Sequence, residues 1–427
     1  MSNLALFRDR EFLALAGTAF ARSQAYSTIL IALALYADLF NTSGVVEGLF
    51  GTGFALVQLL IVLPLGRAVD TGNAKRYLLA GLALNVVVFF GFLLVTSPTD
   101  IVLVRVVQGL AASVLWVTGS SVVGEISPEG SRGRWLGTYN QVGAFSSLAG
   151  DVVGGYLLHV HGFSFTYVVL AGITVAAFVL VLGFLRTNPG GQMDPEDATH
   201  VETIRDLLNQ RMVRSLVLFR VAFSVGKMAV IIFLPIYARK EFGINAFAIG
   251  GILAGGKLTK SLLQGYVGDV TDRSGARHRF VVAGALLYAV GVALIPMAGP
   301  VNAAVGDISV RALGRGLTVS GAFASMFVSF GILGVADSLR LPASMALFVE
   351  EGEAFDSVAS SMSLRSISWK FGQVAGPVTI GLVRDVVSWL WAFWVASGLV
   401  LVATAIFLLS HRRGAIPARD PAPDPGD

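Results

Sequence analysis

Long apolar runs separated by short polar turns fill the chain from end to end. Each run is about 20 residues or longer, enough to cross roughly 30 Å of hydrocarbon. The runs are unbroken rather than alternating, which predicts helices, and in lipid only helices or closed barrels satisfy the backbone. Twelve spans are readable, over residues 12–40, 46–66, 77–97, 101–124, 135–159, 165–186, 213–241, 246–267, 280–298, 318–348, 358–384 and 388–410. The polar segment 187–211 divides them into two sets of six. It begins T-N-P-G-G-Q-M-D-P, a flexible loop, and 198–211 has the composition of a short amphipathic surface helix. The pattern predicts an all-α membrane protein of about twelve transmembrane helices in two pseudo-symmetric six-helix bundles. The bundles are expected over 1–186 and 212–411, with a cytoplasmic linker at 187–211 and a disordered cytoplasmic tail, rich in Pro, Asp and Ala, at 412–427. Residues 300–317 read as the longest outer loop.

Composition sharpens this picture. Charged residues make up 14% of the 427, against about 25% in a soluble domain, and mean hydropathy is +0.73. The formal net charge of +4 does not point to nucleic acid, because the basic residues sit at the ends of apolar runs. Turns on one side hold Lys75, Arg76, Arg132, Arg134, Arg205, Arg211, Arg273, Arg277 and Arg279, whereas those near 41–44, 98–100 and 162 hold no Lys or Arg. That asymmetry puts both termini in the cytoplasm of a multi-pass cell-membrane protein. With no cysteine there is no thiol or disulfide chemistry. The first apolar run lacks a small-residue cleavage site and reads as a retained span.

The turn G-R-A-V-D-T-G-N-A-K-R at 66–76 has a second copy, G-D-V-T-D-R-S-G-A-R, at 268–277. Gly66 falls on Gly268 and Asp70 on Asp272, and the apolar run 45–65 falls on 247–267 without a gap. A repeat of this length means two homologous halves. The aspartate lies between two helix ends, where amides of the next helix attract an anion. Its basic neighbours Lys75, Arg76, Arg273 and Arg277 can bridge to acidic groups on adjacent helix ends, making a conformational latch with Gly66, Gly268 and Gly275. Plain topology, a basic cytoplasmic turn, is the alternative.

At these residues the chain resembles the major facilitator superfamily, over nearly its whole length. The family signature G-x-x-x-D-R-x-G-R-[RK] is kept in the second copy at Gly268, Asp272, Arg273, Gly275 and Arg277, and in the first at Gly66, Asp70 and Lys75. Thr71, Asn73 and Ala74 depart from it. A second motif, R-x-x-Q-G-x-x-A-A, matches Arg105, Gln108, Gly109 and Ala112. The antiporter motif G-P-x-x-G-G appears as G-D-V-V-G-G, with Asp151 in place of the proline; G-P itself occurs at Gly376–Pro377. The resemblance implies the major facilitator fold, a monomer without cofactor, and secondary transport by rocking of two halves. It favours proton-coupled efflux of a small organic solute, as in drug exporters.

Ionisable groups inside a span cost roughly 3 kcal/mol or more, so each needs a partner, water or a task. Arg105 and Asp151 fall at similar depth on consecutive antiparallel helices. They are the expected proton-coupling pair, Asp151 carrying the proton and Arg105 lowering its affinity; a permanent structural ion pair fits the same spacing. The expected substrate-cavity residues are Arg22, Gln141, Lys227, Lys257, Lys260, Asp337, Arg340, Lys370 and Trp369. Arg220 and Arg365, nearest the inner face, read as snorkelling. A cavity so rich in bases favours an anionic or acidic amphiphilic solute, which is the alternative transport reading. A transport-inactive membrane sensor is the third. No phosphate loop, metal cluster or nucleophile–base pair is visible, so the chain reads as no enzyme. Its expected partners are a small-molecule substrate, protons and the lipid bilayer.

Overall fold

A computed structural model of the chain describes residues 3–128, 131–189, 208–312, 315–353 and 358–414. The expected surface helix at 198–211 and tail at 412–427 lie largely outside them. Each of the twelve apolar runs becomes one helix. The first six are α1 (Arg10–Leu39), α2 (Gly44–Thr71), α3 (Ala74–Leu93), α4 (Pro98–Ile126), α5 (Arg132–Ala149, a π turn Gly150–Gly154, then Gly155–Val160) and α6 (Gly162–Phe184). The second six are α7 (Arg211–Met228, a π turn Ala229–Phe233, then Leu234–Phe242), α8 (Ala246–Ser274), α9 (Arg277–Val305), α10 (Gly321–Glu353), α11 (Val358–Val386) and α12 (Trp389–Gly414). Eight of these, α2, α3, α4, α6, α7, α9, α10 and α12, are long and apolar enough to cross a membrane. The other four, α1, α5, α8 and α11, are more polar, and they are helices through which the halves touch.

Local sequence sets the helix starts. The side chains of Asp9, Ser43, Asn73 and Asn245 each accept a hydrogen bond from an amide of the first turn, and Ser97 and Asp100 form a reciprocal capping box on α4. The displacement that lays Gly66 on Gly268 also lays the cap Ser43 on the cap Asn245, so the repeat reaches into local structure. Where the repeat departs, so does the backbone. Gly275 ends α8 in the left-handed region at φ 63°. Its counterpart Asn73 instead caps α3.

One stretch differs from the expected loop at 300–317. Helix α9 runs on to Val305, and the chain then forms an antiparallel hairpin, β1 (Asp307–Ala312) and β2 (Arg315–Ser320), with Asp307 paired to Ser320. The alternation I-S-V and L-T-V carries a strand period of two, which an outer-loop reading passes over.

The most extensive contact between any two helices, α2 against α11, crosses from one half to the other. Glycine makes it close. A Cβ on Gly381 would lie 2.0 Å from the Gly44 carbonyl oxygen, and one on Gly48 2.5 Å from that of Pro377. The repeat reproduces both crossings between α5 and α8. A Cβ on Gly155 would lie 2.7 Å from the Ala246 oxygen, and one on Gly250 2.0 Å from that of Asp151. Asp151 thus takes the place in one crossing that Pro377 takes in the other.

Charged groups reinforce this sealed end. Asp385 on α11 accepts from the Gly44 and Val45 amides at 2.6 and 2.9 Å, capping α2 from the opposite half. Glu47, fully buried, takes Lys240 at 2.8 Å, and Asp38 takes Arg239 at 2.7 Å. At the other end of the bundle, Gly66 and Gly268 face open space where a side chain would begin.

Because even a methyl group collides at Gly381, Gly381→Val is expected to hold the sealed end open while each half stays folded. The chain has no native cysteine, so a single Thr52→Cys reporter, beside Val374 in the crossing, can be labelled alone. A membrane-impermeant maleimide should label it at least tenfold faster in the Gly381→Val background. Equal rates would count against the crossing as drawn.

Candidate transport passage

Between the sealed end and the open end the structure places most of the chain's intramembrane charges, and their partners differ from the simplest expectation. Arg105 on α4 is fully buried. Its Nε donates to the Phe50 carbonyl at 2.8 Å, Nη1 donates to Gln108 Oε1 at 2.5 Å, and the guanidinium lies 4.2 Å over the Phe54 ring. All of these partners belong to α2 and α4. The expected pairing of Arg105 with Asp151 is not made. Gly109 lets α4 press against the α2 backbone at Phe54, and the guanidinium is used up there.

Asp151 pairs across the halves instead. It lies in the π turn of α5, fully buried, with Oδ2 2.7 Å from Lys257 Nζ on α8. Lys257 also donates to Ser27 Oγ at 2.9 Å and Ser147 Oγ at 2.8 Å, hydroxyls 2.6 Å apart. The ammonium therefore has three oxygens from the first half around it. The π turn inserts one residue into the helix, and Gly250 allows α8 to approach at that point.

The second half holds its own cluster. Asp337 on α10 pairs with Lys227 on α7 through Oδ2, and Arg340 Nη2 donates to Oδ1 at 3.0 Å. The Arg340 guanidinium lies 3.7 Å over Phe223, and Lys227 Nζ lies 5.8 Å from the centre of the Tyr288 ring. The cluster sits just before the π turn of α7. Arg220, expected to snorkel, is buried; its Nε donates to the Arg365 carbonyl at 2.6 Å and it lies 5.2 Å over Trp369. A carbonyl of α11 substitutes for water at Nε, while Nη1 is buried with no acceptor.

Lys370 on α11 reaches across to Gln58 on α2, the repeat counterpart of Lys260 on α8. Arg22 on α1 lies 4.1 Å over Trp116 and makes one long hydrogen bond, 3.5 Å, to Ser23 Oγ. Gln141 is exposed on α5, and Lys260 and Trp369 are half-buried. Sequence reasoning missed Gln58, Ser27, Ser147, Glu47 and Asp385. Gln58 had a signal, the aligned Lys260, and Glu47 was a carboxylate inside an apolar run. The two serines had none.

In the signature turns, Lys75 Nζ donates to the Leu182 and Leu185 carbonyls at 2.8 and 2.6 Å, closing the last turn of α6. Arg277 pairs with Glu350 at the end of α10. Arg76 and Arg273 are exposed, and the side chains of Asp70 and Asp272 lie outside what is described. Nearby, Arg186 bonds Glu11 at the start of α1 and holds that carboxyl below the usual glutamate range.

The Asp337 cluster gives a stability test. Removing a buried ion's partner costs about 3–5 kcal/mol. Asp337→Ala strands two cations, Lys227→Met leaves the Asp337–Arg340 pair intact. The aspartate variant should therefore show the larger fall in apparent melting temperature in detergent. Equal falls would mean that Arg340 does not depend on Asp337.

Comparison with known proteins agrees with this architecture. The profile described as Major Facilitator Superfamily matches residues 15–320 and 216–426. An uncharacterized MFS-type transporter of Bacillus subtilis strain 168, YuxJ, is 25% identical over 366 residues, covering 83% of this chain and 86% of its own. The multidrug resistance protein MdtG of Salmonella arizonae is 23% identical over 390 residues, covering 83% of this chain and 90% of its own. Among solved structures, a bacterial homologue of the human lysosomal transporter Spinster, inward-facing and unoccupied, superposes with a TM-score of 0.73 at 15% identity, covering 94% of this chain and 96% of that one. The nucleoside transporter NupG gives 0.73 at 12% identity, covering 94% and 99%. Profile, relatives and fold converge on helices packed as two six-helix halves around buried charges: this chain belongs to the major facilitator superfamily, and it is a membrane transporter, not an enzyme.

Proposed function

We propose that this transporter works as a monomer in the cell membrane, with both termini cytoplasmic, exporting a small organic solute in exchange for protons. The observation that carries the coupling is the Asp151–Lys257 ion pair, because it ties one half to the other at a crossing that rocking must disturb. A proton on Asp151 cancels its charge, removes the attraction to Lys257 and loosens the crossing. Deprotonation restores it. With the basic turns on the cytoplasmic side, the sealed end is the outer one, and the structure corresponds to an inward-open state. Gly66 and Gly268, facing open space at the cytoplasmic end, fit this reading. Export is supported by the similarity to MdtG, at low identity.

A second reading concerns the solute's charge. At mid-depth the acidic side chains Asp151 and Asp337 are each held by a lysine, whereas Arg22, Lys260 and Lys370 have no carboxylate at ion-pair distance among the described residues. A surplus of positive charge in a low-dielectric passage attracts anions and repels cations. The geometry therefore favours an acidic solute.

In proteoliposomes with an imposed pH gradient, solute flux through the wild type should follow the gradient. Asp151→Asn should lose that response and keep equilibrium exchange of the same solute. A gradient response of wild-type size in Asp151→Asn would overturn the coupling role.

A further inference from the structure

Helix α1 is enclosed by α4, α5 and α6 of its own half and touches α7 and α8 of the other. Between residues 21 and 34 its side chains are buried except at Arg22, Ser23 and Tyr26. Those three form one face, and Arg22 and Tyr26 are a helical turn apart. Arg22 is the least satisfied cation there. Its guanidinium has five donors, yet it makes a single 3.5 Å hydrogen bond, and Nη1 is buried with no acceptor. Arg105 and Arg340 are stacked as well, but each holds an acceptor at 3.0 Å or less, although Arg340 Nε is also buried without one.

Beneath Arg22 lies Trp116, a large aromatic face that is 61% exposed with the guanidinium 4.1 Å over it. Depth can be read from the contact of Ser27 with Lys257. From that level Arg22 is five residues, about 7.5 Å, toward the open end along α1, and Lys260 is three residues, about 4.5 Å, toward it along α8. Lys260 makes no hydrogen bond or ion pair among the described residues. Each half thus contributes one cation with no carboxylate at ion-pair distance on the open side of the Asp151–Lys257 pair, Lys260 sharing the more distant Asp337 with Lys227 and Arg340.

We propose that Arg22, stacked on Trp116, receives the acid group of the transported solute, that Lys260 faces the same group from the other half, and that the solute is an aromatic or otherwise apolar carboxylic acid. Guanidinium binds carboxylate through two parallel hydrogen bonds, which supplies the acceptors Arg22 lacks. The exposed indole offers the apolar body a surface. This inference rests on the transporter reading above. It is tested at equilibrium without a gradient, so loss of proton coupling in Asp151→Asn leaves its readout untouched.

The test uses full-length protein in phosphatidylcholine nanodiscs, which contain no anionic lipid to compete. Binding of 2-naphthoate is compared with that of the matched amine and alcohol. Wild type should bind the acid in preference to both. Arg22→Gln should weaken the acid at least tenfold and leave the alcohol unchanged, with Arg22→Lys in between. Lys260→Gln should weaken the acid as well, and it serves as the test if Arg22→Gln does not fold. Preference for the amine, no binding of the acid by wild type, or unchanged acid binding in the glutamine variants would overturn the proposal.

Discussion

A charge cannot be left alone in a hydrocarbon slab, and the constraint shapes this molecule at every level. Most cations inside the spans are given an oxygen, an aromatic face or both; among the described residues Lys260 has neither. Asp151 and Lys257 are the case on which the most depends, because their oxygens and ammonium come from different halves. The pair is possible only because two backbones meet there. Gly250 removes the Cβ that would collide with the Asp151 carbonyl, and the π turn in α5 presents the carboxylate toward α8.

The pseudo-symmetry makes the specialisation visible. Crossings α2/α11 and α5/α8 repeat the same contacts, glycine against backbone at matching positions. One carries Pro377, which is inert, and the other carries Asp151, which can be charged or neutral. One carries Lys370 with Gln58, a contact between an ion and a neutral amide, and the other carries Lys257 with an ion and two hydroxyls. The duplicated scaffold is mechanical. The chemistry is placed on one side of it.

Much of this was legible in the chain. The twelve helices follow from run length and lack of alternation, and the two halves from the superposition of Gly66 on Gly268. Asp151 stood out because a carboxylate replaces a proline in an apolar run. Its partner did not. Depth along a helix can be counted, but azimuth and the register of non-adjacent helices cannot, so Arg105 on the neighbouring span reads as the partner of Asp151 and Lys257 reads only as a cavity residue. Arg220 was misjudged for a related reason. Nothing in its own segment tells that a carbonyl of α11, far away in sequence, will accept its proton. The hairpin at Asp307–Ser320 was passed over because short alternation is a weak signal beside long apolar runs.

The central claim is that the charge on Asp151 governs whether the halves stay together at the sealed end. The most direct measurement is the distance between spin labels on cysteines placed at Asn41 and Ser388, turns at that end on opposite halves, recorded against pH in nanodiscs. The account predicts a single short distance at high pH, a longer population that grows on acidification, and that longer population at every pH when Asp151 is replaced by Asn. A distance distribution that ignores both pH and the Asp151 substitution would contradict it.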